Sequence, residues 1–494
     1  MNAVESLLAP NVARHPDRVA YLCEGESLTY AALDELAGRF ASALLASGAV
    51  AGERAVLVLP DGFPFLGAFL GCLKARIWPA LVSTAVDTPT CEAILADAEA
   101  RVLLVDPTLP AAAAASPHVA FRLAVTPESL RPFLASGSPG FETRPARDDE
   151  DAFLLYTSGT TGTPKGAIHA HGDLAATADT YGASVLRLTS DDVVFSASKL
   201  FFAYGLGNSL SFPLRAGATA ILHPGKVTPG DFLRILGTHR PSVVFAVPTL
   251  YSLFLGAVES AGPLAIPRLY VSAGEALPAA LVREWTALTG APVVDGIGST
   301  EALHIFLSNR PDEVRPGTSG TPVPGYEARL VDDGMRDVAP GEPGHLLIRG
   351  ASVSRGYCRR PEKTAETMLP GGWLRTGDVY VVRDGAWVHQ GRSDDMLKVD
   401  AQWVSPVAVE GALYEHPSVE ECAVTGATFG GLVKVAAHVV LRPGVPDSVE
   451  TIAALRAHVR SRLPVHMVPA RITFCASLPK TATGKVQRFR LREA

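Results

Sequence analysis

Across residues 156–166 the hydroxyls of Thr157, Ser158, Thr160, Thr161 and Thr163 are interleaved with Gly159 and Gly162 and lead into Pro164-Lys165-Gly166. Glycines let backbone N–H groups approach phosphate oxygens closely, hydroxyls add donors and Lys165 adds positive charge, so the stretch reads as a phosphate-holding loop. It is not a Walker A loop, which needs Gly-Lys-Ser/Thr running into a helix, whereas Lys165 sits between a proline and a glycine. Apolar runs at 151–156 and 167–171 bracket it, a setting that a flexible Gly/Thr linker does not need. Two strand-to-glycine junctions follow: 269–275, with Ala273, Gly274 and Glu275, and 293–301, with Asp295, Ile297, Gly298, Thr300 and Glu301. Nucleotides bind at such junctions in parallel sheets. A hard cation such as Mg²⁺ takes oxygen ligands, which Glu301 and a loop threonine, Thr160, can offer; a carboxylate in a helix first turn is the plainer reading of Glu301. Asp378 ends a Gly-Trp-Leu-Arg-Thr-Gly-Asp run and is suited to accept both hydroxyls of a ribose, or simply to form a turn. Near the C-terminus, Lys480 and Lys485 flank a Thr/Gly turn, with Lys480 expected to be solvated.

The segment 199–208 joins Phe202, Ala203 and Tyr204 to Gly205 and Gly207. An aromatic beside glycines suits a wall that a flat ligand approaches closely, while Phe201 is expected in the core. His304 follows the Glu301 turn and reaches either this pocket or the core.

These groups need a scaffold, and the pattern for one is present. A helix begins near Ser27, with Leu33, Leu36, Phe40 and Leu44 on one face, and ends at Gly48. Strands at 54–59, 80–83 and 101–106 alternate with helices at 64–74 and 91–98. Alternation of this kind predicts mostly parallel sheets covered by helices on both faces, an α/β fold. A hairpin is expected over 379–389 with Asp384-Gly385 as its turn. Charge and turn residues at 391–395, including Arg392 and Asp394, mark a boundary between a large N-terminal domain, 1–390, and a small α/β lid, 396–494.

With 494 residues, 47% hydrophobic and 19% charged, the chain is an ordinary globular one of at least two domains. A net charge of −6 without a basic run argues against nucleic acid. Scattered cysteines, the absence of a signal pattern and apolar stretches too short for a bilayer give the expectation of a cytoplasmic protein without a membrane span, monomeric or homodimeric.

The loop at 156–166 resembles the phosphate-loop signature of the adenylate-forming superfamily of acyl- and aryl-CoA synthetases, luciferases and peptide-synthetase adenylation domains. The other motifs occur in that family's order. The resemblance implies that residues 272–276 form an adenine wall, Asp295 faces the adenine amino group, Thr300-Glu301 is the magnesium corner, Asp378 and Arg392 meet the ribose, and Asp394 is the pivot of a mobile lid. It also implies that Lys485 reaches the substrate carboxylate and α-phosphate. The wording Phe-Phe-Ala-Tyr-Gly-Leu-Gly-Asn looks like the benzoate–CoA ligase branch. The implied activity is ATP- and Mg²⁺-dependent formation of an aryl adenylate, with release of pyrophosphate, followed by transfer to coenzyme A. The chain departs from the family at Phe202, where histidine is common, at Ile297, where tyrosine is common, and at Asp400-Ala401, where that branch reads Ser-Gly. The last departure keeps an amine or a carrier protein as alternative acceptors, because a carboxylate and a Cβ stand where the thiol arm passes.

Overall fold

A computed structural model describes residues 1–158, 164–400, 402–429, 432–480 and 486–492. The expected loop residues Gly159, Thr160, Thr161 and Gly162, the lid's Lys485 and the hairpin's Ala401 lie outside the described residues.

Helix Tyr30–Ala46 starts where Thr29 caps Ala32 N, and it crosses helix Phe63–Ala75. That second helix is buried from Phe65 to Ala75, as expected of one apolar all round. Gly67 and Gly71 make the crossing possible: a Cβ on either would stand 2.6 Å from a Phe40 side-chain atom. The pair covers a six-stranded sheet ordered Phe121–Ala124, Val102–Val105, Arg54–Val58, Trp78–Leu81, Asp151–Ser158, Pro164–Ala170. All its neighbours are parallel except the last two strands, which pair antiparallel and carry the phosphate loop between them.

A nine-stranded sheet holds the nucleotide junctions. Its parallel interior runs Val293–Gly298, Leu269–Ser272, Val243–Ala246, Val193–Ser196, Thr219–Leu222, Val19–Cys23, with antiparallel strands on both edges. Valine, isoleucine and phenylalanine fill the parallel strands, which are buried along most of their length.

The expectation of parallel sheets misses a third, five-stranded sheet that is antiparallel throughout, built from Glu327–Val331, Gly344–Arg349, Met368–Leu369, Trp373–Arg383 and Ala386–Arg392. Of these only the hairpin around Asp384-Gly385 was legible, and there both residues have positive φ, 50° and 76°, as a tight hairpin turn demands. The last strand runs on to Arg392, so the boundary segment begins inside the sheet. Beyond it, the Leu397–Val399/Gln402–Val404 hairpin and a three-stranded sheet with helices Pro406–Tyr414 and Val449–Arg460 enclose a separate small core. Among the described residues, no helix is long and apolar enough to cross a membrane.

Candidate active site

Two sheets converge on Glu301. Strand Val293–Gly298 ends in the 3₁₀ turn Thr300–Ala302, capped by Ser299 onto Ala302 N, and this turn presents the Glu301 carboxylate. From the other sheet, strand Pro164–Ala170 brings Lys165, whose Nζ is 3.6 Å from Glu301 Oε1. Tyr357 stands between them. Lys165 Nζ donates to its hydroxyl at 2.9 Å, and that hydroxyl donates to Glu301 Oε1 at 2.5 Å. Burial pushes the Glu301 carboxyl up, but the Tyr357 hydroxyl and the Lys165 charge outweigh it and hold the group below the usual range, so it is ionised. The Tyr357 phenol is correspondingly pushed well above 10 by burial and by the neighbouring carboxylate. Sequence reading missed Tyr357, which is 56 residues from Glu301 and carries no motif of its own.

Arg392 also acts electrostatically on Glu301, which ties in the ribose corner. Its Nη1 donates to Asp378 Oδ1 at 3.2 Å and to Thr376 O at 2.9 Å. Gly377, φ 77°, lets the guanidinium lie flat on the strand, since a Cβ there would stand 2.7 Å from Nη2. Burial raises the Asp378 carboxyl, but His389 and Arg392 more than offset this and keep it low.

The residues expected to form the adenine wall line up along the carboxyl ends of the parallel strands. Gly274 has φ 96°, and Glu275 Oε2 accepts from Thr249 N and Oγ1 at 3.3 and 2.7 Å, which fixes this loop. Ser272 and Asp295 are paired across neighbouring strands; burial pushes the Asp295 carboxyl well above its usual range, while the Ser272 hydroxyl and the Gly296 amide act to lower it. Ile297 is half-buried, paired with Leu307 across the sheet. Gly296 and Gly298 are glycine because strand Ile305–Ser308 and the residue before it press on them: Cβ atoms there would meet Leu307 O at 2.7 Å and His304 O at 2.4 Å.

Ala203 and Tyr204 open a short helix, Ala203–Leu206, which passes into a π-helical turn, Gly207–Ser211, an irregularity common at functional sites. Gly205 and Gly207 have a packing role as well. The missing Cβ of Gly205 leaves room for Lys199 O, 2.0 Å from its ideal position, and that of Gly207 for the His304 ring, 2.3 Å away. The closeness serves protein packing. Asp61, 2% exposed, accepts from Leu200 N at 2.9 Å and faces Lys199 Nζ at 4.0 Å, anchoring the start of the segment. Phe201 is buried as expected and meets the half-buried Phe202 edge to face.

His304 is 2% exposed among Tyr181, Tyr204 and Phe212. Its Nε2 donates to Asn208 Oδ1 at 3.1 Å, while Asn208 Nδ2 faces Ser196 Oγ at 3.4 Å. Burial pushes the imidazole down to about 3, against the opposing effect of a backbone hydrogen bond with Tyr204, so it is neutral.

In the lid, Asp400 occupies the hairpin turn with φ 49°, a conformation aspartate tolerates. Both its oxygens accept from Lys434 Nζ at 2.7 Å, so its charge is offset within the lid. Lys480, expected to be solvated, instead pairs with Glu421 at 2.6 Å.

Among the described residues no three His, Cys, Asp or Glu side chains cluster as a metal cage. Glu301, held ionised beside Lys165, is a hard oxygen donor of the kind Mg²⁺ takes when its other ligands are phosphate and water.

Residues 8–358 match the family model of the AMP-binding enzymes, and residues 408–485 match that of the AMP-binding enzyme C-terminal domain. A benzoate–CoA ligase of Thauera aromatica is 43% identical over 514 residues, spanning 100% of this chain and 96% of that protein. A benzoate CoA ligase structure from Burkholderia xenovorans superposes with a TM-score of 0.92 at 40% identity, with 100% of both chains covered. The structure of an anthranilate CoA ligase in complex with anthranoyl-AMP gives a TM-score of 0.94 at 37% identity, covering 100% of this chain and 97% of that chain.

Proposed function

The chain belongs to the AMP-binding enzyme family, and from that premise we propose that it is an AMP-forming aryl-CoA ligase: it activates a benzoate-like carboxylic acid with ATP, releases pyrophosphate and passes the acyl group to the thiol of coenzyme A. The single observation that carries the chemistry is the Lys165–Tyr357–Glu301 relay, which places an ionised carboxylate and a cation at the exit of the phosphate loop.

In the first half-reaction a carboxylate oxygen attacks the α-phosphorus and pyrophosphate leaves. Two anions must meet in line, so the protein's part is alignment and charge neutralisation. Lys165 faces the phosphates from the loop's return strand, and Lys485, from the lid, joins the carboxylate to the α-phosphate. Asp378 accepts from the ribose hydroxyls, with Arg392 holding it ionised. Asp295 and Ser272, side by side at the ends of neighbouring strands, face the adenine edge. Glu301 and Thr160 are the protein oxygens that would hold Mg²⁺, which would supply further positive charge when bound. The aromatic acid lies between Phe202, Ala203, Tyr204 and His304. For the second half-reaction the lid turns about Asp394 and brings its 397–404 hairpin to the site.

Pairing with Lys434 supports the thiol over an amine, because the carboxylate of Asp400 does not stand as a lone charge in the path of the coenzyme's phosphates. The test is a panel of aryl and medium-chain acids with ATP, Mg²⁺ and either CoA or a simple amine, with products identified by mass. Aryl thioesters are the expected product. Pyrophosphate release with amides and no thioester overturns the acceptor, and activity mainly on octanoate or longer acids overturns the aryl substrate.

A further inference from the structure

The turn that carries Glu301 is held carbonyl by carbonyl from outside itself. Thr300 O lies 2.8 Å from His169 Nε2, Glu301 O accepts from Ser354 N at 2.7 Å, and Ala302 O accepts from Ser352 Oγ at 2.6 Å. Locally it is closed by Leu303 N, 3.1 Å from Thr300 O, and by the Ser299 cap on Ala302 N at 3.2 Å. Ser352 and Ser354 come from the loop that delivers Tyr357, and His169 from the strand that delivers Lys165. One framework therefore aims both the carboxylate and the groups that face it.

His169 is 0% exposed and stacks on Phe153, ring centres 5.2 Å apart. Its Nδ1 is 3.0 Å from Asp173 Oδ2, which also accepts from Ala170 N at 3.0 Å. A peptide carbonyl can only accept, so Nε2 carries the hydrogen it directs at Thr300 O. Asp173, locked to the backbone at the start of helix His171–Thr177, fixes the plane of the ring.

We propose that His169 is a positioning residue for adenylation: through the Thr300 carbonyl it sets where the Glu301 carboxylate meets the metal–triphosphate, and Asp173 sets the ring. This rests on reading Glu301 as the metal-facing carboxylate. Losing the bond leaves Thr300 O without its outside partner and frees the peptide ahead of Glu301 to rotate. A glutamine can return an N–H to the same carbonyl.

The experiment compares wild type, His169→Leu, His169→Gln, Asp173→Ala and Glu301→Gln. It reads the Mg²⁺ dependence of pyrophosphate release, the affinity for ATP by calorimetry with and without Mg²⁺, and thioester formation from preformed aryl adenylate. For His169→Leu the expected results are an adenylation rate lower by about tenfold or more and a similar weakening of ATP binding in the presence of Mg²⁺. Metal-free ATP binding and the thioester step should stay within about twofold, His169→Gln should recover most of the loss, and Asp173→Ala should fall between. Equal loss in both half-reactions, or loss of metal-free ATP binding to the same degree, makes His169 a structural residue only and overturns the proposal. Should Glu301→Gln leave the Mg²⁺ dependence intact, the reading of Glu301 fails. Should Glu301→Gln disrupt it while His169→Leu does not, the inference alone fails.

Discussion

Tyr357 is the least conspicuous residue in the site and one of the most committed, since its hydroxyl accepts from a cation and donates to an anion at once. Removing that oxygen leaves Glu301 buried with one fewer donor, and a hydrogen bond to a charged group contributes about 1.5–3 kcal/mol. Tyr357→Phe is therefore expected to slow aryl-acid-dependent pyrophosphate release by roughly tenfold to a hundredfold, with the thioester step from preformed adenylate much less affected; equal rates in both enzymes would refute the relay. A second expectation concerns His304 and acid. Its folded-state value of about 3 lies below the ordinary 6.5, so the unfolded chain takes up the proton first. The stability this neutral ring contributes is complete above pH 6.5 and is lost as pH falls toward 3. His171, pushed down to about 4 mainly by burial, acts in the same direction, and Asp61, pushed up to about 6 by burial, acts in the opposite one below pH 6. Urea midpoints of wild type and His304→Gln, measured from pH 7 to pH 4, isolate the histidine: the variant should show the shallower decline, and parallel curves would remove His304 from the account.

Short elements set the surroundings of His304. The π-helical turn at Gly207–Ser211 brings Asn208 under the His304 ring, and Gly207 has no Cβ because the ring already fills that space. Gly207→Ala must push His304 off Asn208 or bend the turn, so the KM for the aryl acid should rise about tenfold while the KM for ATP changes little. A rise in both by the same factor would point to general loosening of the sheet. In the lid hairpin, the Asp400–Lys434 pair predicts a double-mutant cycle. Lys434→Ala alone leaves an unpaired carboxylate and should raise the KM for CoA several-fold at low salt, and Asp400→Ser in the same protein should reverse it; additive effects would show that the pair does not govern acceptor binding. Elements were also where sequence reading succeeded and failed most clearly. Helix Tyr30–Ala46, strand Arg54–Val58 and the Asp384-Gly385 hairpin follow from local period and turn chemistry. Most of the antiparallel sheet did not, because strands such as Gly344–Arg349 pair with distant segments and lack a sharp alternation of polar and apolar residues.

On the scale of the whole molecule, the candidate site draws on both large sheets and the antiparallel sheet. Its contiguous motifs stand out as stretches of sequence: the 156–166 loop, the 293–301 junction and the run ending at Asp378. Residues that act on the candidate site or the lid hairpin from afar, Tyr357, His169 and Lys434, do not, since nothing in their own neighbourhood marks them. Lys485 tests the division of labour between body and lid. Lys485→Ala should lower aryl-acid-dependent pyrophosphate release by roughly a hundredfold or more, as loss of a preorganised charge does, and spare thioester formation from preformed adenylate. The clamp on the Glu301 turn also bears on how the resting enzyme can be watched. The Ser354 amide proton is held against the Glu301 carbonyl at 2.7 Å in a buried residue, so it exchanges with solvent deuterium only when the loop and turn come apart. Deuterium uptake in a peptide spanning Ser354 thus clocks the opening of the turn in protein that has never met a substrate.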